Sequence, residues 1–311
     1  MSYYNPVDFV KNYVRICAYY ITVESTNEMS FLSERTKGYI ILKKILYLTD
    51  LSYKAKGRNY SEEDIYITDK LKNKYDVVLC HPKCAVSYED YADIVVFRNT
   101  GSVIGYKDIY FDFLNRVSEK KLKTFNSFDG KADMKGKQYL LELTAEKYPV
   151  IPTIDSLDDI SILPKSDLFV IKPKDGADSI GLDFVTLEEI NGRNICPGTM
   201  LIQPAIDFQY EVSFYFIDDK FEYALYAPDK SKRWILKEYN CTDEDIAFAG
   251  RFIEWNTVTH GIQRVDACRT NDGELLLVEL EDLNPYLSIL DVNEKIRHKF
   301  LNDMMETLEM L

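Results

Sequence analysis

Residues 261–285 read GIQRVDACRTNDGELLLVELEDLNP, and this stretch decides how the rest of the chain is interpreted. Asp272-Gly273 between two apolar runs is a strong two-residue turn signal and predicts a β-hairpin. With those residues as the centre, Asn271 pairs with Glu274, and counting outward sets Asp266 opposite Glu279 and Arg264 opposite Glu281. Side chains alternate along a strand, so these four share one face. The other face carries Val265, Ala267, Val278 and Leu280 and is expected to pack into a core. In this register Leu275 and Leu277 fall on the charged face, and a slip of one residue inverts every assignment.

Carboxylates on neighbouring strands repel one another, and one arginine does not balance three of them. A hard cation does, because Mg²⁺ takes oxygen ligands and pairs carboxylates with substrate phosphates. Asn284 lies three residues beyond Glu281 and offers a further oxygen. The competing reading is a solvated hairpin face with an incidental Arg–Glu pair. The pattern alone leaves both open.

Upstream, residues 168–185 read LFVIKPKDGADSIGLDFV, two apolar strands around a loop of small residues: Gly176, Ala177, Ser179 and Gly181. Small residues let backbone N–H groups approach phosphate oxygens closely. Lys172 ends the incoming strand, placed to meet a phosphate or an adenine. No GK[ST] follows and a strand comes next, so this is not a Walker A loop; taken alone, an ordinary surface hairpin fits it better. Lys135 and Lys137 offer a further cation. Residues 200–206, MLIQPAI, read as an apolar strand suited to a flat adenine pocket, with Glu211 on the next strand.

Around these segments the pattern is mixed α/β. Residues 13–21 read as a buried strand and 28–56 mainly as helix, with Ile40, Ile41, Ile45, Leu46 and Leu48 as apolar positions and Gly57 as its end. Strands follow at 75–80 and 93–97 and a helix at 106–122, together a small α/β lobe. The polar stretch 127–137 marks a boundary. Helix is expected at 137–147, at 243–255 with Thr242 as N-cap, and at about 292–310. Strands are expected at 168–172, 182–186, 200–206, 211–217 and 221–226.

Composition excludes several classes. The 311 residues are 46% hydrophobic and 29% charged, ordinary for globular protein, with a formal net charge of −13 that opposes nucleic acid and anionic membranes. Cys17, Cys80, Cys84, Cys196, Cys241 and Cys268 form no CxxC pair and read as reduced thiols of a cytoplasmic protein. MSYYNPVDF lacks the pattern of a signal peptide, and no apolar run is long enough to span a bilayer. His81, His260 and His298 complete no Ser-His-Asp or Cys-His set.

The ordered series MKGKQYLLEL, YPVIPT, FVIKPKDGADSIG, LIQPAIDFQYEVSF, RVDACR and LLLVELEDLNP resembles the ATP-grasp superfamily, in the branch of glutathione synthetase, D-alanine–D-alanine ligase and the ribosomal-protein glutamate ligases. It covers roughly residues 120 to 290. The resemblance implies an ATP-grasp fold of two lobes clasping ATP, 123–199 and 200–311, after a small Rossmann-like lobe at 1–122. It implies that Lys137 and Lys172 bind the nucleotide and that loop 174–181, with Gly176 and Ser179, covers the phosphates. Gln203, Pro204, Ala205 and Ile206 would line adenine, and Glu211, or else Asp207, would hold the ribose. Asp266 and Glu279 would hold magnesium, with two ions expected, and Arg264 would steady the transferring phosphoryl group.

One departure stands out. The family's metal motif ends Glu-x-Asn, whereas here it reads Glu279-Leu280-Glu281, so Glu281 is expected to replace the asparagine as ligand. The implied reaction is ADP-forming ligation of a carboxylate, an amino acid or peptide, to an amine through an acyl phosphate. A kinase without amine transfer and a non-catalytic ATP-binding module are the rival readings. For the substrate, the basic run 229–237 with Arg233, then Arg98 and Arg269, are the candidate contacts. No nucleic acid or membrane partner is expected, and a homodimer is left open.

Overall fold

The computed structural model describes residues 42–55, 58–98, 106–174, 181–193 and 198–311. A first group of elements comprises β1 (Lys44–Leu48), α1 (Ser61–Leu71), β2 (Asp76–Cys80), β3 (Ile94–Phe97), α2 (Lys107–Lys120) and β4 (Thr124–Phe125). Its four strands form a parallel sheet in the order β2-β1-β3-β4. Ile45 to Leu48 and Ile94 to Phe97 are buried throughout, as expected of strands covered on both faces.

The helix expected over 28–56 is corrected here. Lys44–Leu48 is the central strand β1. Four consecutive apolar residues suit a doubly buried strand and a buried helix equally, and periodicity cannot separate them. The strand expected at 13–21, together with Ile40, Ile41 and Gly57, lies outside the described residues. Helix α1 was not foreseen, because Glu63 and Asp64 in its first turn point inward and blur its apolar face.

A second group runs α3 (Tyr139–Ala145), β5 (Phe169–Pro173), β6 (Asp183–Val185), α4 (Leu187–Gly192) and β7 (Met200–Pro204). Its strands form an antiparallel sheet in the order β6-β5-β7. A third group runs β8 (Phe208–Ile217), β9 (Lys220–Ala227), β10 (Lys237–Glu238), α5 (Asp243–Asn256), β11 (Ile262–Thr270), β12 (Leu275–Glu281) and α6 (Glu294–Met310). Its antiparallel sheet has the order β10-β9-β8-β11-β12. Helix α5 starts at the expected cap: the Thr242 hydroxyl accepts from Asp245 N and the Asp245 carboxylate accepts from Thr242 N. Such a capping box stabilises by about 1 kcal/mol.

The five-stranded sheet is the middle layer. Val212, Phe214 and Phe216 of β8, with Val265, Ala267, Leu277 and Leu280, pack against Tyr139, Leu140 and Leu143 of α3 and Ala249, Phe252 and Ile253 of α5. Tyr215 and Ile217 of β8, with Tyr223, Leu225 and Ile262, pack the other way against Ile45, Tyr47, Ile94 and Val96 of the parallel sheet and Phe300 and Leu301 of α6. Arg264 and Asp266 continue the face that Ile262 begins, so they emerge beyond this second core. No described helix is long and apolar enough to cross a membrane.

Candidate functional site

The hairpin forms, but not as a two-residue turn. Thr270 N donates to Glu274 O at 2.8 Å, and Gly273 N to Thr270 O at 3.1 Å, leaving a three-residue loop with Gly273 at φ +92°. That positive φ is the reason for the glycine. Near the loop the pairs are Arg269↔Leu275, Cys268↔Leu276 and Ala267↔Leu277. The register then shifts, and Asp266↔Glu279 and Arg264↔Glu281 pair as expected. Val278 is the extra residue, a β-bulge that restores the register the longer loop had displaced.

Two predicted placements are corrected by that bulge. Leu275 and Leu277 lie in the core rather than on the charged face, and Val278 is only half-buried. The edge of β12 is closed beside the bulge, where Leu277 N donates to Pro149 O and Ile151 N donates to Leu277 O. Leu280 N donates to the Tyr139 hydroxyl at 2.8 Å.

On the open face, Asp266, Glu279 and Glu281 each offer an oxygen within 4.8 Å of the others. Arg264 makes four hydrogen bonds among the described residues, using four of its five N–H groups. Its Nε and Nη2 donate to the two Asp266 oxygens at 2.9 and 2.8 Å, Nη2 also to Glu281 Oε1 at 2.5 Å, and Nη1 to Tyr286 O at 2.8 Å. Burial opposes the arginine's charge, but Asp266 and Glu281 outweigh it and hold its pKa well above the usual value. Burial pushes Glu281 up to about 7 against the pull of Arg264, with Asp266 and Asp133 adding to the rise. An all-oxygen donor set with excess negative charge fits a hard divalent cation such as Mg²⁺.

Across from the hairpin, the Lys137 ammonium sits against Glu279, with Asp133 at 3.6 Å, and the residue is only 6% exposed. Its main-chain N donates to Lys174 O at 3.1 Å, tying it to the exit of β5. Lys172 projects from β5 near Lys137. As a residue it is half-exposed, but its ammonium is enclosed; that desolvation, then the Lys137 charge, push its pKa down to about 7. No carboxylate pairs with it among the described residues. Lys174 instead holds Asp155 at 2.6 Å and Gln138 at 2.8 Å. Gly176 and Ser179 lie outside the described residues.

The strand expected to line adenine is β7 (Met200–Pro204). Gln203 is buried with its amide donating to Thr153 Oγ1 at 2.8 Å, so its side chain serves the scaffold. Pro204 is buried, Ala205 and Ile206 are half-buried, and Ala205 N donates to Leu168 O at 2.9 Å. Glu211 of β8 lies on the face of Asp266 but holds Arg233 in a two-point pair at 2.5 and 2.7 Å. Asp207 is exposed and engaged by Lys230 and Asn271.

Two proposed substrate contacts are corrected. Arg98 is 0% exposed: it donates to Glu63 at 2.7 Å and to Pro285 O at 2.5 Å, with Asp64 at 3.4 Å. Arg269 lies on the opposite face of β11, held by Asp245 of α5 at 2.5 Å, the Tyr239 hydroxyl and Gly273 O. Both are consumed by structural partners.

Three site residues were not foreseen. Ser213 of β8 donates to Asp266 Oδ1 at 2.6 Å, a contact set by the non-local pairing Ser213↔Asp266. Asp133 flanks Lys137. Asp282 is buried and accepts from Ala132 N at 3.0 Å, Met134 N at 2.8 Å and Asn256 at 3.1 Å, anchoring the segment that carries Asp133 to the end of β12. The one available signal was Asp282's place beside Glu281.

No family model matches the chain, and no curated protein matches it. Among solved structures it is similar to D-cycloserine synthetase DcsG, with a TM-score of 0.65 and 18% identity over 85% of this chain and 99% of that one. It is similar to a D-alanine–D-alanine ligase from Bacillus anthracis complexed with ATP, with a TM-score of 0.59 and 13% identity over 85% and 97% of the two chains. A third is the ATP-grasp ligase PsnB, complexed with a phosphomimetic variant of minimal precursor, Mg and ADP: TM-score 0.58 and 12% identity over 86% and 99%. The chain has the ATP-grasp fold.

Proposed function

We propose that this chain is an ATP-dependent, ADP-forming carboxylate–amine ligase acting on an amino acid or peptide. The observation that carries the reading is the meeting of three carboxylates and one arginine on a five-stranded sheet with two lysines, Lys137 and Lys172, one of them on the three-stranded sheet. Similarity to proteins crystallised with ATP, and with Mg and ADP, supports the same reading. In this proposal 123–199 and 200–311 are the two clasping lobes and 1–122 precedes them.

Asp266, Glu279 and Glu281 hold magnesium, which neutralises phosphate charge when bound. Lys137 and Lys172 take the phosphates under the loop with Gly176 and Ser179. Main-chain groups of Gln203 to Ile206 meet adenine, and Glu211 meets the ribose once Arg233 releases it. Arg264, fixed by Asp266 and Glu281, steadies the moving phosphoryl group. The substrate carboxylate attacks the γ-phosphorus and ADP leaves. The amine then attacks the acyl carbon and phosphate leaves with the bonding electrons, the amine losing a proton. Positioning and charge neutralisation supply the catalysis, so no protein nucleophile is required.

Screening amino acids and short peptides for phosphate release tests this directly. Release that needs both a carboxylate and an amine supports ligation. Release with one substrate and a stable phosphorylated product makes the protein a kinase, and nucleotide binding without turnover makes it a binding module.

A further inference from the structure

We propose that Lys137 is the resident counter-ion of the metal site, so that metal and nucleotide bind well only together. This rests on the ligand set proposed above and adds a role for Lys137 and Asp133. Arg264 is directed to Asp266, Glu281 and Tyr286 O and forms no ion pair with Glu279 among the described residues. The third carboxylate is met instead by the Lys137 ammonium, with Asp133 at 3.6 Å from it. A divalent cation that takes Glu279 must therefore enter beside, or displace, a nearly buried positive charge. Like charges at such a separation repel strongly away from water.

Phosphate oxygens resolve the conflict. Lys137 lies between the carboxylates of β12 and the exit of β5, to which its main chain is bonded through Lys174 O. In the loaded site the ammonium moves from Glu279 to the phosphates and the metal takes the freed carboxylate. Asp133, anchored through its segment by Asp282, keeps Lys137 in reach of both. Metal alone meets the ammonium, and nucleotide alone must draw the lysine off Glu279 with nothing to replace it.

The test titrates Mn²⁺ alone, with bound metal read by electron paramagnetic resonance. Wild type should bind weakly, and Lys137→Met should bind Mn²⁺ about tenfold more tightly, a coupling of ordinary size, while binding nucleotide less well. Unchanged or weaker Mn²⁺ binding by Lys137→Met overturns the proposal. Adding Glu279→Gln to the Lys137→Met protein separates the two levels. If that double variant binds Mn²⁺ as tightly as Lys137→Met, the metal lies elsewhere and the ligand assignment itself fails. Should Lys137→Met not fold, the Lys137 ammonium resonance of wild type serves. It should shift with Mg²⁺ plus a non-hydrolysable ATP analogue and hold with the same Mg²⁺ alone; a shift with Mg²⁺ alone contradicts the proposal.

Discussion

Two arginines in this protein are held in nearly the same way, and only one belongs to the candidate site. Arg98 meets Glu63 and Asp64 and donates to Pro285 O; Arg264 meets Asp266 and Glu281 and donates to Tyr286 O. Both grip adjacent carbonyls of one segment. They differ in closure and in the number of groups gathered. Arg98 and its two carboxylates are sealed from solvent, with further bonds from Tyr47, Thr49 and Leu287 N. Around Arg264 a third carboxylate, Glu279, stands on a half-exposed face and is met by Lys137, with Lys172 near that lysine. A sealed cluster fixes the fold; an open cluster of carboxylates and cations is prepared for something charged to arrive.

That contrast predicts different losses at the two places. Arg98→Leu leaves two buried carboxylates unpaired and should destabilise by about 3–5 kcal/mol, read as a lowered denaturant midpoint. Stability unchanged by this variant would erase the distinction. Glu279→Gln should do the reverse: turnover falls by about 10²–10³-fold or more, while stability falls by less than in Arg98→Leu, because Lys137 keeps Asp133 and the half-exposed face admits water.

Lys172 sharpens the comparison through pH. Burial and Lys137 hold it down to about 7, so above that pH the free protein loses its ammonium. A bound phosphate favours the charged form, so binding takes up a proton there. Nucleotide affinity should be level below about pH 6 and weaken by up to about tenfold per unit above pH 7. Lys172→Met should remove most of that slope, measured by calorimetry across pH. The smallest effect belongs to the exposed Arg233–Glu211 pair. Arg233→Gln should change stability by no more than about 1 kcal/mol, and it frees Glu211 for a ligand.

The hairpin shows what a sequence can and cannot carry. The pairs Asp266–Glu279 and Arg264–Glu281 were legible, yet through two displacements that cancel: a loop one residue longer than read, and a bulge at Val278. Alternation alone would have kept Leu277 on the wrong face. Arg98 misled because its partners, Glu63 and Asp64, lie on a helix that no apolar periodicity announced. β1 was mistaken for helix because a continuous apolar run carries no period. Ser213 and Asp133 were out of reach because only tertiary pairing brings them to Asp266 and Lys137. Lys172 was marked by its place at the end of a strand and Lys137 by its basic stretch, and only the order of motifs joined the two.

The central claim, that the open carboxylate cluster is a magnesium–nucleotide site, is met most directly by calorimetric titration of a non-hydrolysable ATP analogue with and without Mg²⁺, into wild type and Glu279→Gln. Saturable binding that depends on Mg²⁺ in wild type, with that dependence lost in Glu279→Gln, is the predicted result. Equal binding by both proteins, indifferent to Mg²⁺, would contradict it.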